Sequence, residues 1–467
     1  MDLKRCLVAA VICSSLTLSA QGQKTDTLSL SLDECIKIAL SDNPTIKVAD
    51  MEIQRVDYSK KETLGQLLPA LAFGGNYNRT LAKQVAYFNM SAMGGGKADT
   101  GTTPETPSKD AGIKMGLDNT FALGFNASMP LIAPQLWKSL KLSDSQILQN
   151  IEMARSSRIS LVNQVQNAYY SLLLSYDSYF VIKQNYETSV YNAKIFKGKF
   201  DLGTASEYEV LRSSVQVKNI EPQMLQAEIA IKQSLLQLKI LMGMNASINI
   251  KPNTSLSAYE NSMFDSTLSI NKSLIDNTDL KSLDLQTDYM KRALDVKRMA
   301  WYPTLSLSAS YNWNSSSDGS PFKNFRWTPY SVVGLTLSFP LYQGGQRYNR
   351  IKQAEISVKE MSYQRENLER TLNMQVELQI DNIKKNVKQI STNSEGVKQA
   401  EKAFEIMQKS FKIGAATYLD LRDSELALIT SKLTYYQSIY NYLVATSDLQ
   451  LLLGNADLNK YKSLENK

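Results

Sequence analysis

The stretch IGAATYLDLRDSE, from Ile413 to Glu425, holds the pattern in this chain best suited to chemistry: Asp420 and Asp423, two carboxylates three residues apart behind a run of small residues. Paired carboxylates serve general acid–base catalysis, metal ligation, or the ordering of cations along a watery path. Composition narrows the choice. The chain has no histidine, which excludes imidazole bases, His-dependent triads and the usual zinc sites. Of its 3 cysteines, only Cys35 lies beyond the N-terminal apolar segment, so an intrachain disulfide is excluded once that segment is removed. GGGK at Gly94–Lys97 has the look of a phosphate loop, yet no Ser or Thr follows Lys97 and no strand-to-helix pattern surrounds it. The expectation is a protein without catalytic residues, cofactor or bound metal.

An echo, LGTASEYEVLRSS from Leu202 to Ser214, lies 211 residues earlier. At that offset Asp420 meets Glu209 but Asp423 meets Arg212. A catalytic pair is therefore not kept in both copies, whereas an oligomeric pore does not need it twice. Two readings stay open for the carboxylates. Residues three apart share a helix face, so several chains around one axis would gather them into a ring that attracts cations. Alternatively they are solvated acids near a helix start, where the dipole favours them.

The elements that must carry these residues follow from the same offset. Gly203 to Gly243 spans 40 residues, as does Gly414 to Gly454, and Pro44 to Pro69 spans 25, as does Thr278 to Pro303. The chain reads as a tandem duplication: a leader at 1–22, repeats at 23–243 and 244–454, and a polar tail at 455–467. Val376, Ile383, Ile390, Val397, Phe404 and Phe411 recur every seven residues, and Leu421 to Leu449 continue the step. Sustained heptads predict coiled-coil packing. Each repeat should hold a helix of about 70 residues, about 100 Å long, then a tip glycine and a helix of about 40. Pro222 should kink the first of the shorter helices.

Ahead of each long helix the period changes from seven to two. In TLSLSASYNWN, Leu305, Leu307, Ala309, Tyr311 and Trp313 alternate with Ser306, Ser308, Ser310, Asn312 and Asn314. Similar alternation predicts strands at about 69–82, 117–131, 303–314 and 330–342. Strands of about ten residues with one greasy and one Ser/Asn/Thr face fit a transmembrane β-barrel with a wet interior; a soluble sandwich would hide the greasy face instead. Four strands cannot close a barrel, for which about eight are the minimum, so several chains must share one.

The N-terminus supports export. Lys4 and Arg5 precede CLVAAVICSSLTL and small residues, the layout of a signal peptide cleaved after Gly22. Ile12 is too large for lipoprotein processing at Cys13. Losing Asp2, Lys4 and Arg5 takes the net charge from +7 to +6, and the basic residues interleave with acidic ones as solvated helix faces do. Nucleic-acid binding is not expected.

The duplicated plan, the opening SLDECIKIALSDNPTIKVA, the strand-end FPLYQGGQ, the glycine tips and the terminal LQLLLG together resemble the TolC-like outer-membrane efflux proteins of Gram-negative bacteria, over roughly Leu28 to Gly454. The resemblance implies an α+β membrane protein: a homotrimer whose twelve-stranded β-barrel sits in outer-membrane lipid and whose helices form a long periplasmic coiled-coil tunnel. It implies a passive exit duct for small molecules or secreted proteins. A periplasmic adaptor (membrane fusion) protein docks at the tips and joins it to an inner-membrane pump of the RND or ABC type. Under that resemblance Asp420, Asp423 and Glu209 line the entrance, and Gly203, Thr204, Ala205, Ser206, Gly414, Ala415, Ala416 and Thr417 form the docking tips. A tyrosine and an arginine that latch the family's closed entrance appear here as Phe411 and Ala416, so the latch must differ, with Arg212 or Arg422 as substitutes. The rival reading is a trimeric surface adhesin or structural coiled coil, which predicts one terminal anchor rather than two embedded strand pairs.

Overall fold

A computed structural model describes residues 28–87, 113–260, 272–320 and 326–455. The leader at 1–22, the GGGK loop and the tail beyond Asn455 lie outside the described residues. In chain order the elements begin β1 (Leu28–Leu30), α1 (Leu32–Asp42), α2 (Pro44–Gly65), β2 (Ala70–Arg79), β3 (Gln84–Ala86), β4 (Ile113–Met115) and β5 (Asn119–Ile132). Next come α3 (Pro134–Asp201), α4 (Glu207–Leu241), β6 (Ile250–Pro252) and α5 (Thr278–Arg298). The chain closes with β7 (Thr304–Ser317), β8 (Thr328–Ser338), α6 (Gln346–Lys412) and α7 (Tyr418–Leu453). Two compact units emerge: Met1–Glu52, Ile151–Leu283 and Gln364–Lys467 in the first, Ile53–Asn150 and Asp284–Tyr363 in the second.

The first unit is helical. The heptad stripe turns inward: Val165, Leu172, Val376, Ile383, Ile390, Tyr442 and Leu449 are buried in one core with Cys35, Ile36 and Leu238. Burial there pushes the Cys35 thiol up to about 12, so it stays protonated and inert. Nearer the tips most of the stripe is half-buried, while Leu421 is buried and Phe200 is exposed. α4 is one continuous helix through Pro222. Pro222 is exposed, so the carbonyl deprived of a partner can turn to water.

Two asparagines tie the far ends of the shorter helices. Asn43 donates from Nδ2 to the Leu241 carbonyl at 2.7 Å while its Oδ1 accepts the Thr45 N–H at 2.7 Å. Asn277 repeats both bonds, to the Leu452 carbonyl at 2.6 Å and from the Leu280 N–H at 2.8 Å. Each side chain closes one helix's carbonyl end and starts another helix, satisfying groups that helix ends leave orphaned. A parallel pairing of β1 with β6, Leu28 to Ile250 and Leu30 to Pro252, joins the start of the described chain to the segment after α4.

The second unit is built on a four-stranded antiparallel sheet in the order β2-β5-β7-β8. Its register stacks like on like. Leu71, Phe73 and Tyr77 face Ala127, Phe125 and Phe121; Phe125 and Ala127 face Tyr311 and Ala309; Leu305 and Leu307 face Leu337 and Leu335. Phe73 and Phe125 rings meet at 4.8 Å and Tyr311 and Trp313 at 4.6 Å. Ser306, Ser308 and Ser310 share the opposite face with Ser128 and Asn126, although Val332 and Tyr330 interrupt it from β8. Among the described residues nothing covers the apolar face, and Val333 is 75% exposed.

Strand ends depart from the alternation. β8 stops at Ser338, leaving Phe339 and Tyr342 beyond it, because Pro340 has no N–H to extend the ladder. β5 instead passes Pro130 at a register shift before Ile132, the bulge position where a central strand tolerates proline. Leu117 falls before β5 begins. The short β3–β4 pair, invisible in the alternation, extends the first hairpin. No helix among the described residues is long and apolar enough to cross a membrane.

Candidate gate and docking tips

Each long helix ends in the same turn. In the first, the Gly203 N–H bonds the Phe200 carbonyl and the Thr204 N–H the Lys199 carbonyl, both at 2.8 Å. In the second, Gly414 bonds Phe411 at 3.1 Å and Ala415 bonds Ser410 at 2.8 Å. Closing a helix this way requires a left-handed residue, and Gly203 and Gly414 supply it at φ 74° and 80°. Ala205 and Ala416 sit half-buried in the turns, while Thr204 and Ala415 are exposed.

Capping boxes then start the returning helices. Ser206 offers its N–H to the Glu209 carboxylate at 2.8 Å and its Oγ at 3.1 Å. Thr417 does the same for Asp420, at 3.0 Å from N and 2.6 Å from Oγ1. The returning N–H of Glu209 or Asp420 bonds the hydroxyl, at 3.3 and 3.2 Å. The Ser206 backbone and side-chain bonds hold Glu209 below the ordinary carboxylate range, and the Thr417 side-chain and backbone bonds do so for Asp420.

The two aspartates consequently differ. Asp420 folds back on its own helix start, while Asp423 is exposed beside a groove between α6 and α7 lined by Thr392, Gly396, Ala427 and Thr430. Glu209 is Asp420's counterpart in geometry as well as in sequence.

Phe411, one of the two positions where the resemblance implies a latch, lies among aromatic rings. The Phe411 ring joins a cluster with Phe196 of α3 at 6.1 Å and Tyr418 of α7 at 6.2 Å, and Phe196 meets Tyr418 edge-on at 4.8 Å. Arg212 places its guanidinium 5.9 Å from the Tyr418 ring, and Lys199 places Nζ 5.7 Å from Phe411. Arg422 is spent elsewhere: its Nη1 donates to Glu425 at 3.0 Å, and Glu425 is only 4% exposed. Burial raises the Glu425 carboxyl above its ordinary value, partly offset by Arg422.

Sequence reasoning missed Phe196, Tyr418 and Glu425. For Glu425 a signal existed: it stands at i+4 from Leu421 and i−3 from Leu428, on the buried face of α7. Among the described residues no group of His, Cys, Asp or Glu is arranged to hold a metal ion.

Two pairs of long helices, a four-stranded antiparallel sheet and two glycine tips define a class, and the chain belongs to it: the outer membrane efflux protein family matches residues 35–244 and 269–455. Relatives include the outer membrane protein TolC of Vibrio cholerae, 22% identical over 71% of this chain and 76% of that protein. The alkaline protease secretion protein AprF of Pseudomonas aeruginosa is 22% identical over 93% of this chain and 86% of its own length. Among solved structures, the Campylobacter jejuni CmeC outer membrane channel superposes with a TM-score of 0.71 at 18% identity, covering 93% of this chain and 89% of that one. The open state of the Neisseria gonorrhoeae MtrE outer membrane channel gives 0.67 at 15% identity.

Proposed function

We propose that three copies of this chain form an outer-membrane channel, a passive exit duct for small molecules or secreted proteins, extended into the periplasm by its helices. The observation that supports this is the sheet: one exposed apolar face, one Ser/Asn-rich face, and edge strands β2 and β8 that, among the described residues, each pair on one side only. Exposed edges cannot persist in lipid, and three four-stranded sheets joined β8 to β2 would give a closed twelve-stranded wall. An exposed stripe on α4, Tyr208, Leu211, Val215, Leu225 and Ile229, fits packing against a neighbouring copy.

At the tips, Leu202 and Ile413 are 80% and 81% exposed beside the two glycines. They suit docking of a periplasmic adaptor that recruits an inner-membrane pump of the RND or ABC type. Three copies would gather Asp423, with Asp420 and Glu209 near it, into a ring at the entrance that favours cations.

The test is reconstitution of purified protein in a planar bilayer, with cross-linking to read the copy number. Discrete conductance steps from a trimer are expected; a trimer without conductance favours the adhesin reading. Asp420→Ala combined with Asp423→Ala should leave the trimer intact and lower cation over anion permeability about several-fold. Unchanged reversal potentials in a salt gradient would remove the ring as the filter.

A further inference from the structure

The two helical hairpins, α3–α4 and α6–α7, meet at their tips through rings. Phe196 from the first hairpin touches Phe411 and Tyr418 from the second, at 6.1 and 4.8 Å between centroids. Two cations of the first hairpin cover rings of the second: Arg212 over Tyr418 at 5.9 Å and Lys199 over Phe411 at 5.7 Å. Tyr418 is buried and opens α7 directly after the capping residue Thr417, so this ring moves with the start of that helix. One turn further on, the buried Arg422–Glu425 pair at 3.0 Å is internal to α7 and spans no gap between hairpins. Among the contacts described at this level, those that bridge the hairpins are aromatic or cation–π.

We propose that an aromatic clasp, Phe196 against Phe411 and Tyr418 with Arg212 and Lys199 over the rings, holds the entrance shut in this protein. The clasp rests on the channel reading and adds the chemistry of its gate. Opening the entrance requires the hairpins to part, and parting them exposes three rings to water and uncovers two cations. A clasp of this kind resists dilution of its strength by salt, because apolar ring burial is not screened as an exposed ion pair is. Its strength depends on ring shape and not on the Tyr418 hydroxyl.

Single-channel recording in planar bilayers tests it, with wild-type conductance as the separate check on the channel reading. Phe196→Ala and Tyr418→Ala should each raise the open-to-closed ratio about ten-fold, equivalent to about 1.4 kcal/mol. Tyr418→Phe should retain wild-type closure, and Phe180→Ala, an exposed ring elsewhere on α3, should change nothing. If Tyr418→Phe opens the channel as fully as Tyr418→Ala, the clasp is a hydrogen-bonded one and the proposal fails. If neither alanine variant opens it, the rings do not hold the gate.

A second arm keeps the answer independent of folding. In F196C/Y418C, a short bis-methanethiosulfonate linker should close the channel and a reductant should reopen the same molecules. Cys35 is fully buried and should not compete. Equal conductance before and after reduction would overturn the clasp even where wild type conducts normally.

Discussion

The two tips share a surface and differ in what lies behind it. Gly203 and Gly414 turn the chain alike, and Ser206–Glu209 and Thr417–Asp420 cap the returning helices with matching bonds. Behind these caps the second hairpin buries Glu425 against Arg422, where the first carries Ser214 and Leu211 at the same offset. The second also keeps an open groove between its helices, lined by Thr392, Gly396, Asp423 and Ala427. The corresponding residues of the first are the bulkier Val181, Asn185, Arg212 and Gln216. The two repeats read from the sequence keep the same turn, whose backbone geometry admits few residues, while the packing behind it differs, with the Arg422–Glu425 ion pair buried behind the second tip.

That contrast is broken most severely through the ion pair. Arg422→Met would leave Glu425 buried without its partner and should destabilise the second tip by about 3 kcal/mol. Leu211→Met at the matching position should change little. Hydrogen exchange over 418–428 and 207–217 measures both; comparable losses in the two segments would mean the hairpins are not differently built. Since the Glu425 carboxyl is raised by burial, its protonation is favoured in the folded state. Its contribution is fully present below its ordinary value and falls as pH rises through the raised one, so the Arg422→Met defect should shrink on acidification.

The turn itself offers the next effect. A Cβ added at Gly203 or Gly414 meets no atom within 4 Å, so the main penalty of Gly203→Leu and Gly414→Leu is the left-handed backbone, about 1–2 kcal/mol each. Both should also weaken adaptor capture in pull-down by adding bulk at the proposed docking surface. Loss at one tip only would assign docking to that hairpin, and undiminished capture at both would remove the tips from the adaptor contact.

The smallest effect sharpens the likeness. Ser206→Ala and Thr417→Ala should each cost about 1 kcal/mol of local stability. Glu209 and Asp420 are both held below the ordinary range, so their capping contribution is present above that range and lost as pH falls through the lowered values. Exchange at the two helix starts should therefore quicken together below about pH 4. A marked difference between them would show that the shared bonds are not equally strong.

Much of this fold is readable from the chain because its signals are periodic and repeated. Heptads place Val376, Ile383 and Ile390 inward, and two-residue alternation places Leu305 and Leu307 beside Leu337 and Leu335. What periodicity cannot supply is a partner distant in sequence. Nothing near Phe196 announces Tyr418, and nothing near Asn43 announces the Leu241 carbonyl. The carboxylates illustrate a second limit. Asp420 and Asp423 look like a pair at three-residue spacing, yet a hydroxyl three residues before Asp420 draws that carboxylate to the helix start. Asp423 has no such residue, since Asp420 itself occupies the place.

The asparagine ties also set a schedule for folding. Asn43 meets its carbonyl 198 residues downstream and Asn277 meets its own after 175. The N-terminal helices can form early from local bonds, but their ends stay frayed until each distant segment arrives. Contacts so far apart in sequence require large loops to close first, which slows folding and lengthens the life of half-finished species. An emerging chain would thus hold the base of its first hairpin open until Leu241 has emerged and docked, and that of the second until Leu452 has followed.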